Sequence, residues 1–411
     1  MLRNESRGPW ARKKKGDCLG MIQNFEFFNK TNLIFGKGTE NEAGKHVKKY
    51  ADSVLICHDG GAYLESLLAR VKKSMEEAGV KVYELPGVQP NPHLSLVRKG
   101  IEMCQKENIG FVLGVGGGSV MDTAKFVALG VHYPGDVWTY KSFTPITSPI
   151  VPSGCISTLP GTGSEFSAVA MIVNDEGEYP VKALFGSPQI KFDFAIMNPE
   201  LYYTLPKKQA AAGAVDIIAH LTENYFGSTT DADQYEGYIE AGVKSVMRNI
   251  KLVLKDQTNY EAQSNLALSS IMPFSYLTSG VQADMCVHNI EKPLTSTYNQ
   301  THGVMLGILT PAWMKYCYKR DIPKHLRFAV NCMGAQMNYL HPEETIEQGI
   351  ENFENFVKSL GLPTRLSELG IDDSKFGFCA DMGLFNDRNN RIGFVSKLSY
   401  EEVIEVYKLA L

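Results

Sequence analysis

Leu113-Gly-Val-Gly-Gly-Gly-Ser-Val-Met-Asp-Thr-Ala-Lys125 is the stretch that decides the fold. Apolar residues 111–113 read as the end of a buried strand, and Val120 onward reads as a helix start. Gly116, Gly117 and Gly118 leave backbone N–H groups bare at that helix N-terminus, and Ser119 adds a hydroxyl. Exposed amides and the helix dipole together favour an anion such as a phosphate. The spacing is not Gly-x-Gly-x-x-Gly, because position 119 is Ser, so the ordinary dinucleotide fingerprint does not match. A tight strand-to-helix turn would account for one or two glycines, but hardly for three followed by Ser119.

Outward from this turn, residues 32–199 alternate short apolar strands with amphipathic helices. Residues 53–58, 80–85 and 110–115 read as strands, and 62–78 and 93–107 as helices between them. That order implies βαβ units and a parallel sheet. Ligands of such sheets bind beyond the carboxyl ends of the strands, where Asp59 and the triple glycine fall. From Lys207 onward helical periodicity takes over, with helices expected over 207–226, 233–254, 260–279 and 303–318. The expected organisation is a Rossmann-like α/β domain over 21–200 and an all-α domain over 201–411. Residues 1–20 are expected to be a disordered extension: they are basic and lack the apolar core of a secretory signal.

The helical half carries the second signature. Asp216 and His220 lie in Ala211-Ala-Gly-Ala-Val-Asp-Ile-Ile-Ala-His220, an Ala-rich run that should be helical. A spacing of four puts both side chains on one helix face, about 6 Å apart at Cβ. His288 and His302 would reach the same point from elsewhere in the chain. One carboxylate and three neutral imidazoles suit Fe²⁺ or Zn²⁺, whereas Mg²⁺ prefers oxygen alone. The metal ligands fall in the helical half and the glycine turn in the sheet half, so the active site is expected in a cleft between them. A third element, Thr158-Leu-Pro-Gly-Thr-Gly-Ser-Glu165, is rich in hydroxyls and amides and suits a pyrophosphate or nicotinamide.

Together these stretches make the chain resemble the iron-containing alcohol dehydrogenases, from about Phe25 to the C-terminus. The Gly-Gly-Gly-Ser-x-x-Asp-x-Ala-Lys run occupies Gly116 to Lys125, and Gly-Thr-Gly-Ser-Glu occupies Gly161 to Glu165. The opening Phe25-Glu-Phe-Phe-Asn-Lys-Thr-Asn-Leu-Ile-Phe-Gly-Lys-Gly38 and Thr301-His-Gly-Val-Met-Leu-Gly-Ile-Leu-Thr-Pro311 look most like the butanol-dehydrogenase branch. The resemblance implies Asp216, His220, His288 and His302 as metal ligands, iron favoured over zinc, and a nicotinamide dinucleotide held by Gly116, Gly117, Gly118, Ser119, Asp122, Lys125, Thr158 and Thr162. It also implies short or medium primary alcohols and their aldehydes as substrates, and a homodimer.

Three positions depart from the family pattern. Lys292 stands where the family has a further His near the nicotinamide, which bears on proton relay and rate. Lys182, by contrast, keeps the family's Lys position before Ser187-Pro188 and is expected near the nicotinamide ribose. Asn198-Pro199 replaces an Asp-Pro and is expected to be structural. The third departure concerns the cofactor: Asp59-Gly-Gly-Ala62 replaces Gly-Gly-Gly-Ser. A carboxylate there accepts from a ribose 2′-hydroxyl and repels a 2′-phosphate, so NAD(H) is expected over NADP(H). Capping of the following helix is the competing expectation for Asp59.

Composition narrows the alternatives. The formal charge of −4 and the lack of a basic stripe argue against a nucleic-acid partner. No apolar run approaches the roughly 18 residues that span a bilayer. The eight cysteines are scattered without Cys-x-x-Cys spacing, which fits reduced thiols in a cytoplasmic enzyme. Rival readings are a lyase resembling dehydroquinate synthase, a glycerol-dehydrogenase-like polyol oxidoreductase, and a non-catalytic relative. The lyase would need a cationic cluster around the metal, and the ligand helices are apolar apart from Lys292.

Overall fold

The computed structural model describes residues 20–176, 181–229 and 232–411. The chain divides into two units. The first comprises 28–159 and 163–204, and the second comprises 20–27, 160–162 and 205–411 among the described residues.

The first unit is built on a six-stranded parallel sheet. Its strands are β1 (Asn32–Phe35), β2 (Ser53–Cys57), β3 (Lys81–Leu85), β4 (Val112–Gly116), β5 (Ser153–Ser157) and β8 (Phe194–Met197). They run in the order β1-β8-β5-β4-β2-β3. The helices α1 (Ala43–Val47), α2 (Glu65–Glu77), α3 (Leu94–Glu107) and α4 (Gly118–Gly130) cross between strands. The period of two in β2 divides the core. Val54 and Ile56 pack with Leu67, Leu68 and Val71 of α2, while Leu55 and Cys57 join Val97 of α3 and Val120 and Val127 of α4. Both faces are buried, as a parallel sheet requires.

The βαβ alternation breaks once. β6 (Val169–Asn174) and β7 (Val181–Gly186) form a separate antiparallel hairpin, with Val173 opposite Lys182. Met171 N–H donates to Asp122 Oδ2 of α4 at 2.8 Å, which ties the hairpin to the helix that follows the glycine turn. Asn198 accepts the Glu200 N–H at 3.0 Å and donates to Glu40 at 2.9 Å, so it caps a short turn in a structural role.

The second unit is helical: α5 (Lys207–Tyr225), α6 (Asp233–Lys255), α7 (Tyr260–Ile271), α8 (Cys286–Tyr298), α9 (His302–Cys317), α10 (Ile322–Asn331), α11 (Pro342–Ser359), α12 (Phe376–Gly383) and α13 (Tyr400–Leu409). α5 and α9 are buried nearly all round and lie in the middle of its core. The helix expected over 260–279 stops at Ile271. Pro273 lacks the N–H needed to continue it, and two short 3₁₀ turns follow. The expected extension at 1–20 lies outside the described residues except for Gly20, whose N–H meets the Ser228 carbonyl at 3.1 Å. No helix among the described residues is long and apolar enough to cross a membrane.

Candidate functional site

Asp216 sits in the buried middle of α5. Its Oδ1 lies 3.8 Å from His288 Nε2 of α8 and 3.6 Å from His302 Nε2 at the start of α9. Donor atoms of Asp216, His288 and His302 fall within 4.8 Å of one another. Two metal–ligand bonds of about 2.1 Å at a tetrahedral angle separate their donors by about 3.4 Å, so the spacing fits one first-row ion. Asp216 Oδ1 and His288 Nε2 are buried and neither completes a hydrogen bond. Buried polar atoms left this way are costly unless something charged binds them. A divalent cation meets that need.

His220 stands beside the three, its ring 4.3 Å from that of His288. Its Nδ1, however, turns back onto its own helix, 3.1 Å from the Asp216 carbonyl oxygen and 3.2 Å from Oδ1. A spacing of four puts the two side chains on one face without aiming both at the same point, since the carbonyl one turn earlier competes for the ring nitrogen.

Two carboxylates that residue type alone did not single out complete the centre. Glu223 lies on α5, three residues after His220, and is buried; its Oε2 contacts His288 Nδ1 in a very short pair. Its Oε1 accepts the backbone N–H of Val287 at 2.6 Å and of His288 at 3.3 Å. α8 has no side-chain cap of its own at Met285, so Glu223 caps it from a neighbouring helix and orients the ligand at once. Glu291, one turn after His288 and fully buried, places Oε2 2.9 Å from His302 Nδ1. With Nδ1 of both rings facing carboxylates, Nε2 of both is left for a metal. The spacings 220–223 and 288–291 were the available signal, each a carboxylate one turn from a candidate ligand histidine.

The electrostatics agree. Burial opposes the charge on Asp216, but His220 and His302 outweigh it and hold its carboxyl well below the usual range. Burial likewise opposes charge on His288, yet Glu223 and Asp216 raise it to about 10. The pocket is built to hold positive charge. Burial pushes the Cys286 thiol far up, so this cysteine belongs to the core.

In the sheet unit the candidate cofactor residues fall at neighbouring strand ends. Gly116 closes β4 opposite Ser157 of β5, and Thr158 N–H donates to the Gly116 carbonyl at 3.1 Å. A Cβ at Gly116 would lie 2.6 Å from Val120 Cγ2, so only glycine lets the strand meet the first turn of α4 so closely. Gly117 caps α4 without a side chain, and Gly118 and Ser119 open it. Ser119 Oγ accepts the Asn91 N–H at 3.2 Å. Asp59 lies just beyond β2, the next strand over.

Asp122 and Lys125 take another part. Lys125 is 1% exposed, and its ammonium donates to Ser164 Oγ (2.9 Å) and the carbonyls of Ser167 (3.0 Å) and Val169 (3.1 Å). Asp122 Oδ1 accepts from Ser164 Oγ at 2.7 Å. Both groups, expected at the cofactor, are instead committed to protein atoms and bind the Gly161–Glu165 motif and the hairpin to α4. Thr162 belongs to the second unit's residues. Lys182 lies half-buried on β7, close enough for its charge to act on Asp122. Lys292 shares a helix face with His288, four residues on, and its ammonium donates to Asn289 Oδ1 at 2.9 Å.

Comparison with known proteins agrees with this arrangement. Residues 30–199 match the family described as iron-containing alcohol dehydrogenase, and residues 210–411 match the C-terminal region of the Fe-containing alcohol dehydrogenase family. The chain is 34% identical over 387 residues to NADH-dependent butanol dehydrogenase A of Clostridium acetobutylicum, covering 93% of this chain and 98% of that protein. It is 30% identical to the NADPH-dependent aldehyde reductase YqhD of Escherichia coli, covering 86% and 91% of the two chains. Among solved structures, NADH-dependent butanol dehydrogenase A of Thermotoga maritima superposes with a TM-score of 0.88 at 32% identity, covering 95% and 99%. A parallel-sheet unit with a glycine turn, a helical unit with an Asp-His cluster and these matches along both units converge, and the chain belongs to the iron-containing alcohol dehydrogenase family.

Proposed function

We propose that the protein is an NADH-preferring, Fe²⁺-dependent alcohol dehydrogenase that also works as an aldehyde reductase on short or medium primary substrates such as butanol and butanal. The observation that carries this reading is the cluster of Asp216, His288 and His302, in which the buried Asp216 Oδ1 and His288 Nε2 lack hydrogen bonds. Asp216, His220, His288 and His302 would hold the ion, with Zn²⁺ the alternative. When bound, the metal supplies Lewis acidity at the substrate oxygen and the nicotinamide supplies or accepts hydride.

The rest falls to this chain's own side chains. Glu223 holds the His288 imidazole in place, and Glu291 Oε2 lies 2.9 Å from His302 Nδ1. The bare amides of Gly117, Gly118 and Ser119 suit the cofactor's phosphates. Lys182 and Lys292 are the proposed cationic groups near the nicotinamide and the reacting oxygen, with Thr158 and Thr162 beside the cofactor. Asp59 is proposed to accept from the adenosine ribose. The names of relatives are divided on this point, since the butanol dehydrogenases carry NADH and the aldehyde reductase NADPH. Asp59 tips the balance to NADH: a like-charge contact near 4 Å is worth up to about 4 kcal/mol at an effective dielectric near 20. Solvent reduces this, still leaving about tenfold or more.

A lyase draws no support from relatives named as butanol dehydrogenases and aldehyde reductase. A homodimer in the cytoplasm is part of the same proposal, and light scattering giving a 45 kDa species would contradict the dimer. The activity itself is tested by following NADH oxidation across a panel of aldehydes. Turnover of butanal and its neighbours is expected. Turnover restricted to polyols or sugar phosphates would refute the substrate class.

A further inference from the structure

Asp59 does not stand alone at the end of β2. Its Oδ1 accepts the Gly61 N–H at 2.8 Å, and its Oδ2 receives the phenol O–H of Tyr63 in a very short contact. Tyr63 is 63% exposed, so its ring is not held there as part of the core. What lets it fold back is Gly61. The backbone at Gly61 (φ −66°, ψ 139°) suits any residue, yet a Cβ would lie 2.4 Å from Tyr63 Cε1 and 2.7 Å from Cδ1. The missing side chain serves the ring, not the turn.

Resting on the proposal that Asp59 meets the adenosine ribose, we propose that Tyr63 is a specificity-determining partner of Asp59, and that the two select a dinucleotide with a free ribose diol. The chemistry follows from the donors. With its O–H given to Asp59, Tyr63 presents only acceptor lone pairs outward, and the doubly held carboxylate also presents only acceptors. A 2′,3′-diol has two O–H groups to donate to such a pair. A 2′-phosphate has no donor when ionised and adds like charge. Holding the carboxylate in one orientation before the cofactor arrives spares the ordering cost on binding.

The test is the Kd of NADH and of NADPH, by nicotinamide fluorescence, for the intact enzyme and the variants Tyr63→Phe, Gly61→Ala, Asp59→Asn and the Gly61→Ala/Tyr63→Phe double. Tyr63→Phe is expected to weaken NADH by about threefold to tenfold while NADPH shifts by less than about twofold. Gly61→Ala should match it by displacing the ring, and the double should be no worse than either single, because both changes remove one interaction. If Tyr63→Phe and Gly61→Ala bind both cofactors as wild type does while Asp59→Asn loses its NADH preference, the role of Tyr63 is refuted and that of Asp59 stands. If Asp59→Asn also keeps the wild-type preference, the reading of Asp59 fails and takes this proposal with it.

Discussion

The metal cluster and the glycine turn solve opposite problems. In the helical unit, Asp216, Glu223, His288 and Glu291 are buried, and Asp216 Oδ1 and His288 Nε2 are left without hydrogen bonds. That arrangement is unfavourable until a cation joins it. In the sheet unit, the expected ligand surface is mostly backbone: strand ends, a helix N-terminus and glycines that keep side chains out of the way. The charged groups of its motif, Asp122 and Lys125, point inward and hold the polypeptide. One region is a set of buried side chains whose donor atoms suit an ion. The other is a shape, with its charges spent on keeping that shape.

The contrast can be broken by exchanging the kinds of loss. His288→Ala should have the largest effect, abolishing stoichiometric metal and activity together; metal analysis beside an aldehyde-reduction assay checks it, and full activity would refute the ligand role. Lys125→Met should do the reverse, costing about 1–3 kcal/mol of stability because Ser164 Oγ and the Ser167 and Val169 carbonyls lose their donor, while metal content stays at wild type. Urea unfolding with parallel metal analysis separates the two.

His325 sharpens the comparison within the helical unit. It is a buried imidazole with no carboxylate hydrogen-bonded to its ring among the described residues, its Nδ1 meeting the Asp321 carbonyl at 2.8 Å. Burial lowers it from 6.5 to about 4. The unfolded chain therefore binds a proton over that interval and the native state does not. Stability present above pH 6.5 is lost as pH falls through 4, by on the order of 3 kcal/mol. His325→Gln should flatten this part of the stability–pH curve, and an unchanged slope would assign the acid loss elsewhere. The smallest expected effect belongs to the supporting carboxylate: Glu223→Gln keeps the shape and should weaken metal affinity by about 10–100-fold, read by chelator competition.

Asp216, His288 and His302 were legible in the sequence because their residue types have few other reasons to share a buried helical half. Glu223 and Glu291 escaped because a glutamate at helical spacing reads as a solvated face, and only packing shows that both are enclosed. The parallel sheet was legible from the short apolar runs and the amphipathic helices between them. The β6–β7 pair was not, since two six-residue strands close in sequence carry no signature of which sheet they join. α7 ended early because Pro273 outweighed an apolar pattern that continues past it. Lys125 shows the limit of motif reading: the motif marks where a lysine is needed, and the contacts decide that it serves Ser164 and the hairpin.

The most direct test of the central claim is metal content and butanal-dependent NADH oxidation measured on the same anaerobically purified protein, before and after chelation. One Fe²⁺ or Zn²⁺ per chain is expected, with activity lost on chelation and restored by adding Fe²⁺ back. Protein that lacks both metals yet reduces butanal at an undiminished rate would contradict the account.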